Sequence, residues 1–389
     1  VGHDDSQMEQ SKLDMSVMGT TTPKSFLKMS FLETKNVSGM GFTETTYAKE
    51  VISYVEQIVR GGVYNNLVDN FAKIAKDQVG EHLIIEMWEM VSSLLNANFQ
   101  SSLGQDLLSH RNSPVFLSAL IKQSRMYLER KYRQSIEGTV FGQPKLANPT
   151  ASAVYNLVKN YLNAKSPAWT LDTSIGHHLG AEDGSIEGHP VWVFVWHCLR
   201  AGSIDAAIEA LQKSSLSTTI NEFVSILREY KQSDERKLSP QSENHIRLQY
   251  KKSIRLSTDV YKRTVYSLLG CCGVNELQTD IFDKIDDYLW LRLGQVQLYD
   301  SDSRSPDGSG KSKLTDHLTL NKLQLQISEE YGESYFDALE QPLTYFKVLF
   351  LTGQWESAID FLFKIDHYRC HAVHIGISLN EMGLLLTPQ

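Results

Sequence analysis

LRAGSIDAAIEAL at residues 199–211 and FLTGQWESAIDFL at residues 350–362 share one pattern, which indicates the class of fold. Aligned without a gap, they have four identities in thirteen positions, including Gly202 on Gly353. A glycine that follows an apolar helical run takes the left-handed turn at a helix end at little cost. The acidic residue three positions further on falls in the first turn of a new helix, where the helix dipole favours negative charge. Each stretch therefore predicts a helix–turn–helix hairpin.

Helical spacing continues along the chain from Thr46 to its end. Tyr47, Val51, Tyr54 and Ile58, for example, recur at steps of three and four residues. Hairpins of this kind bury their apolar faces against neighbouring hairpins in a stacked array. The two similar stretches are 151 residues apart, which is no short regular period and counts against a tetratricopeptide or HEAT array. We predict an all-α fold, an irregular elongated α-solenoid of stacked helical hairpins.

The domain organisation follows from where this periodicity holds. We expect residues 1–45 to form a flexible N-terminal extension and residues 46–389 to form the solenoid, truncated at its C-terminus. A loop near residues 301–313, rich in glycine and serine, is expected to be disordered. Val191–Trp196 has some strand character but runs directly into the first hairpin, so we predict a helix there.

Proline positions mark three helix starts. A capping side chain precedes a proline at Ser113-Pro114, Asn148-Pro149 and Ser239-Pro240. Proline is well tolerated at the first helical position, because its missing N–H would have no partner there. The periodic pattern predicts further helices over 203–213, 217–230, 241–256, 259–269, 280–298, 319–331, 342–352, 354–366 and 368–383.

Composition excludes several classes of function. The chain has 389 residues, of which 41% are hydrophobic and 22% charged, as in a folded globular protein. Its net charge of −8 argues against nucleic acid as the main partner. Four cysteines suit a reducing compartment and provide no disulfide framework. The longest dense apolar run, Val191–Leu199, is too short to span a membrane.

Candidate chemical sites are weak. Asp307–Ser312 resembles the end of a phosphate-binding loop, but Ser305 stands where that motif needs its first glycine. Cys370 and His374 share a helical face, yet two ligands do not make a zinc site, and buried core residues are the favoured interpretation. The other local pairings are His177-His178, His197-Cys198 and Cys271-Cys272, the last of which indicates a helix end. A serine or cysteine nucleophile stays open, although the sequence contains no Gly-x-Ser-x-Gly elbow.

A basic run lies on the helix that begins near residue 241. It comprises Arg247, Lys251, Lys252 and Arg255, and Arg228, Lys231, Arg236 and Lys237 just before it could extend it. The simplest interpretation is a solvated helix face, and the alternative is a docking surface for an acidic segment. Trp192, Trp196, Trp290 and Trp355 are expected in the core, since they stand among apolar neighbours at helical spacing.

The second half of the chain resembles a known family. The stretches that carry the resemblance are DYLWLRL at 287–293, YGESYFDALEQPLTYFKVLFLTGQWESAIDFLF at 331–363 and RCHAVHI at 369–375. Leu238-Ser239-Pro240 with Glu243-Asn244 and Arg247-Leu248, and Tyr261-Lys262-Arg263 with Val265-Tyr266, add to it. Together they are similar to the nucleoporin-interacting-component family, the α-helical linker nucleoporins in the inner ring of the nuclear pore complex.

The resemblance implies an elongated, kinked α-helical rod with no catalytic activity and no cofactor. It implies contacts with large inner-ring scaffold nucleoporins and with a small membrane-associated linker nucleoporin. Family members also recruit channel nucleoporins through a coiled-coil region. In this sequence, the residues before Thr46 show no heptad pattern of the kind that a coiled coil requires. Because the matching residues are mostly structural, the resemblance transfers no binding residue.

We therefore expect a structural scaffold component of the nuclear pore inner ring at the nuclear envelope. Such a component binds other nucleoporins and supports the transport of protein and mRNA between nucleus and cytoplasm. The alternative is a helical-rod adaptor or coat protein of vesicle traffic. We assign no catalytic, cofactor-binding or metal-ligating residue.

Overall fold

The computed structural model describes residues 40–62, 66–97, 99, 106–144, 149–165, 183–214, 218–276, 281–282, 284–298 and 317–386. The first eight helices are α1 Phe42–Val59, α2 Leu67–Ile74, α3 His82–Leu95, α4 Leu107–Arg111, α5 Pro114–Phe141, α6 Ala151–Lys165, α7 Val191–Arg200 and α8 Ile204–Lys213. They are followed by α9 Thr218–Gln232, α10 Pro240–Lys252, α11 Val260–Leu269, α12 Ile285–Gln295, α13 Leu320–Leu325, α14 Gly332–Tyr335, α15 Pro342–Leu351, α16 Trp355–Phe363 and α17 Asp366–Glu381. The fold is the predicted irregular α-solenoid.

Shorter elements complete the described chain. Two π-helical turns, Ala75–Val79 and Gln326–Tyr331, continue α2 and α13, and a 3₁₀ turn at Ile254–Leu256 follows α10. An antiparallel pair of two-residue strands, β1 Ser185–Ile186 and β2 His189–Pro190, precedes α7. The helix predicted at Val191–Trp196 is confirmed.

Side-chain caps explain several helix starts. Ser113 and Ser239 each accept a hydrogen bond from the backbone N–H three residues on, with proline as the next residue, as predicted. The start predicted at Asn148-Pro149 is different. Helix α6 begins at Ala151, and Thr150 Oγ1 accepts a hydrogen bond from the Ala153 N–H at 3.3 Å. Pro149 therefore precedes the helix, and the prediction that it is the first helical residue was wrong.

The first helix begins four residues before the apolar periodicity, which starts at Thr46. Gly41 and Glu44 account for the difference, since the Gly41 N–H donates to Glu44 Oε2 at 2.8 Å. This carboxylate satisfies a backbone donor that would otherwise be exposed at the helix start. Residues 1–39 and the loop at 301–313 lie outside the described residues.

Both predicted glycine turns are left-handed. Gly202 has a φ of +83° and Gly353 a φ of +79°. Both turns also contact the same helix, α5. A Cβ at residue 202 would lie 2.8 Å from Glu129 Oε2, and a Cβ at residue 353 would lie 2.6 Å from Leu120 Cδ2. Each of the two stretches therefore turns tightly against this 28-residue helix.

Arginines hold the two turns in place. Arg133 on α5 donates to the Ala201 carbonyl at 3.3 Å, beside the first glycine. Arg111 at the end of α4 donates to the Gly353 carbonyl at 2.9 Å and forms an ion pair with Glu356. Both arginines therefore satisfy carbonyl groups that a helix end leaves without an intrahelical partner.

The solenoid is folded back on itself. Helix α15 packs against α3, and α17 packs against α1 and α2, in addition to contacts between successive helices. Tyr54 on α1 donates to Glu381 Oε2 at 2.6 Å, and Trp88 on α3 donates to His371 Nδ1 at 3.2 Å. The hairpins thus bury apolar surface against distant parts of the chain as well as against the sequence neighbours that we expected.

Candidate docking cleft

The fold-back creates a cleft between early and late helices. The cavity has a volume of about 590 Å³ and is lined by residues of α3, α5, α12 and α15. Its floor is apolar, and Met87, Met90 and Phe346 contribute to it. Leu83 lies at its edge with half of its surface exposed. This volume is in the range of sites that bind small molecules or a few side chains of a partner.

Two lysine–carboxylate pairs lie along the cleft. Lys131 on α5 is 2.7 Å from Glu86 Oε1 on α3. Lys347 on α15 pairs with Asp286 on α12. Burial raises the pKa of Asp286, but Lys347, Arg200 and Lys284 outweigh that effect and the pKa is lowered. The cleft therefore presents paired charges around an apolar floor, and each lysine ammonium keeps donors for the carbonyl groups of a ligand.

A buried ion pair supports the wall of the cleft. Arg200 Nε lies 2.7 Å from Asp287 Oδ1, and the two side chains are 1% and 6% exposed. The same guanidinium donates to the Leu128 carbonyl at 2.8 Å and lies 4.6 Å from the centre of the Tyr132 ring. Because both charges are shielded from water and satisfied, they fix the positions of α7, α12 and α5 relative to one another.

The candidate Cys/His pairings lie within helix packing, where both histidines are buried and Cys370 is partly exposed. His374 is 7% exposed, and its Nδ1 lies 2.7 Å from the Cys370 carbonyl, one turn earlier in α17. His197 is buried in α7 beside Tyr132, and burial raises the pKa of the neighbouring Cys198 thiol well above its usual value. Within the described part of the chain, no group of three or more His, Cys, Asp or Glu side chains is placed to hold a metal ion.

The other residues singled out in the sequence either lie in the core or fall outside the described residues. Cys271 and Cys272 are buried free thiols just after the end of α11, as predicted, and Cys271 has a positive φ of 44° that the sequence did not indicate. The four expected core tryptophans are all buried: Trp192, Trp196, Trp290 and Trp355. His177-His178 and the loop at 307–312 lie outside the described residues.

Most of the basic run is exposed, and only Arg247 is partly buried. Lys251 and Lys252 are exposed, while Arg247 pairs with Glu243 and Arg255 with Glu276. In the suggested extension, Arg228 and Lys231 are exposed, whereas Arg236 and Lys237 are partly buried. Arg236 donates a hydrogen bond to the buried Glu129 at 2.6 Å, and Lys237 donates one to the Gly294 carbonyl at 2.7 Å. Lys231 forms an ion pair with Asp205 at 2.8 Å.

No helix in the described ranges combines the length and apolarity that crossing a bilayer requires. The fold and the cleft together define an α-solenoid protein with a groove lined by α3, α5, α12 and α15. The chain belongs to the Nup93/Nic96 family, because the sequence model of that family matches residues 82–389.

Relatives and a solved structure agree with this assignment. Nuclear pore complex protein Nup93 of Danio rerio is 38% identical over 352 residues, which are 90% of this chain and 40% of that protein. Nup93 of Xenopus laevis is 36% identical over 350 residues, with the same coverage. The crystal structure of Chaetomium thermophilum Nic96 SOL matches with a TM-score of 0.65 and 21% identity, over 88% of this chain and 49% of that chain. This likeness confirms the fold.

The chain thus spans about 40% of the length of these two curated relatives. Their names support the class of nuclear pore proteins and give no support to the alternative of a vesicle coat protein.

Proposed function

We propose that this chain is a structural part of the nuclear pore inner-ring scaffold, that it binds other nucleoporins, and that it catalyses no reaction. The family match carries this proposal, since it covers most of the solenoid, from α3 to the end of the chain. The protein is then located at the nuclear envelope and supports nucleocytoplasmic transport. Its partners include the large inner-ring scaffold nucleoporins and a small membrane-associated linker nucleoporin.

The cleft has a shape and a lining that suit one of these contacts. Its apolar floor accepts apolar side chains of a partner segment, and Lys131 and Lys347 at its sides provide donors for the backbone carbonyls of that segment. Buried apolar anchors with a polar surround are the usual basis of affinity at protein interfaces. Contact with channel nucleoporins belongs, under this proposal, to the coiled-coil region of family members.

Localisation and capture together test the proposal. A fluorescently tagged protein should stain the nuclear rim, and affinity capture should recover inner-ring nucleoporins. Leu83→Glu places a charge at the edge of the cleft and should reduce the recovery of at least one partner. Leu108→Glu on α4 is the matched control, because Leu83 and Leu108 are similarly exposed, at 50% and 54%. Cytoplasmic puncta with captured coat proteins would overturn the scaffold proposal, and equal recovery by both variants would overturn the role of the cleft.

A further inference from the structure

The tip of the α10–α11 hairpin has an unusual surface. Leu248 is 58% exposed and Leu256 is 83% exposed, although both belong to a folded hairpin. Lys251 and Lys252 are exposed between them. Residues 248, 251 and 252 are separated by three and four positions on α10, so they share one face of the helix. Leu248 and the two lysines therefore share an exposed helix face, and the exposed Leu256 follows four residues after Lys252.

The local charge is positive even though the whole chain carries a net charge of −8. Arg255, which is 60% exposed, adds a third cation beside the lysines and pairs with Glu276 at 2.6 Å. The other nearby carboxylates are engaged elsewhere, since Asp259 is fully buried at the start of α11 and Glu243 pairs with Arg247. The two lysines have no ion-pair partner among the described residues.

This tip is held in one shape by the helices behind it. Ile246 and Tyr250 on the opposite face of α10 are buried, and Tyr250 donates to Glu276 Oε2 at 2.7 Å. Arg263 donates to the Ser257 carbonyl at 2.9 Å, which fixes the turn after the 3₁₀ segment. The exposed leucines are therefore displayed by a rigid support.

From these observations we infer that the hairpin tip, residues 248–256, is a contact site for an anionic lipid surface. Exposed leucines enter the boundary between headgroups and acyl chains, while lysine and arginine remain at the level of the headgroups. None of these residues lines the 590 Å³ cleft or the smaller cavity beside Lys122. A protruding basic and apolar turn fits a planar, negatively charged partner. The inference goes beyond the proposed scaffold function and does not depend on it.

Vesicle flotation with the purified full chain tests this inference. The chain should float with vesicles of equimolar phosphatidylcholine and phosphatidylserine and not with phosphatidylcholine alone, and added salt should release it. Lys251→Glu with Lys252→Glu should reduce the bound fraction by about tenfold or more, because each cation near an anionic surface contributes separately. The double variant Leu248→Ser and Leu256→Ser should also reduce the bound fraction, although it leaves the charge of the chain unchanged.

Two control variants separate this site from general effects. Lys73→Glu with Lys76→Glu makes the same charge change at exposed lysines outside the tip, and Leu339→Ser removes a leucine that is 95% exposed. Both controls should float like the unmodified chain. Absence of flotation by the unmodified chain, or equal loss in tip and control variants, overturns the inference. Binding of a labelled polyglutamate peptide at the tip, without vesicle binding, overturns it in favour of an acidic protein partner.

Discussion

The carboxylate of Glu129 packs directly on Gly202, so that a Cβ at that residue would lie only 2.8 Å from Glu129 Oε2. The same carboxylate accepts hydrogen bonds from Arg236 at 2.6 Å and from the Trp290 indole at 2.9 Å. One buried side chain on α5 therefore joins the α7–α8 turn, the segment after α9, and α12. The long central helix positions the solenoid through polar contacts of this kind as well as through apolar packing.

The glycine turns give the first prediction. Replacing Gly353 with alanine should lower the free energy of unfolding by more than about 1 kcal/mol, because the positive φ is strained for alanine and the new Cβ meets Leu120. Gly142→Ala is the matched control, with a φ of +76° and no atom within 4 Å of the new Cβ. Urea unfolding should show the larger loss for Gly353→Ala, and equal losses would mean that the turn does not pack against α5.

The buried ion pair gives the second prediction. Replacing Arg200 with methionine should destabilise the fold by about 3–5 kcal/mol, because Asp287 is left charged and buried. Adding Asp287→Leu should restore part of this loss, since the double variant no longer contains an unpaired charge. The exposed pair Lys231–Asp205 should contribute at most about 1 kcal/mol in the same denaturant measurement. A loss of that small size at Arg200 would contradict the buried arrangement.

The contact between α3 and α17 gives a pH prediction. Burial, together with the neighbouring His367 and His374, lowers the pKa of His371 from 6.5 to about 4. The unfolded chain therefore binds the proton at a higher pH than the folded protein. The stability due to neutral His371 is fully present above about pH 6.5 and is lost as the pH falls towards about 4.

The expected loss from this residue is about 2 kcal/mol between about pH 7 and about pH 5. His371→Gln should abolish this part of the pH dependence, because glutamine does not titrate and keeps an acceptor for the Trp88 N–H. Denaturant unfolding of both proteins at the two pH values measures the difference. An unchanged pH dependence in the variant would show that His371 is not held neutral by the contact.

The sequence predicted the local structure well and the long-range structure poorly. The hairpins at 199–211 and 350–362, including their left-handed glycines, follow from apolar spacing and the placement of glycine. A periodic pattern shows which face of a helix is apolar but not which helix covers it. The packing of α15 on α3, and hence the cleft, could not be deduced in this way.

The burial of charged residues was also not predicted from the sequence. Glu129 and Arg200 are 4% and 1% exposed, whereas charged side chains in a helix normally indicate its solvated face. Their burial depends on partners that are distant in sequence, such as Trp290 and Asp287. A single sequence gives no signal for such pairings.

The late helices fold back onto the early ones, and a cross-link between α1 and α17 can show this contact in solution. Tyr54 Oη lies 2.6 Å from Glu381 Oε2, so cysteines at these two positions lie within reach of a short bismaleimide. In a Cys370→Ala background, the account predicts a fast intramolecular cross-link in the native protein that disappears in urea. Equal cross-linking in native and unfolded protein, or none in either, would contradict the folded-back solenoid and the cleft that depends on it.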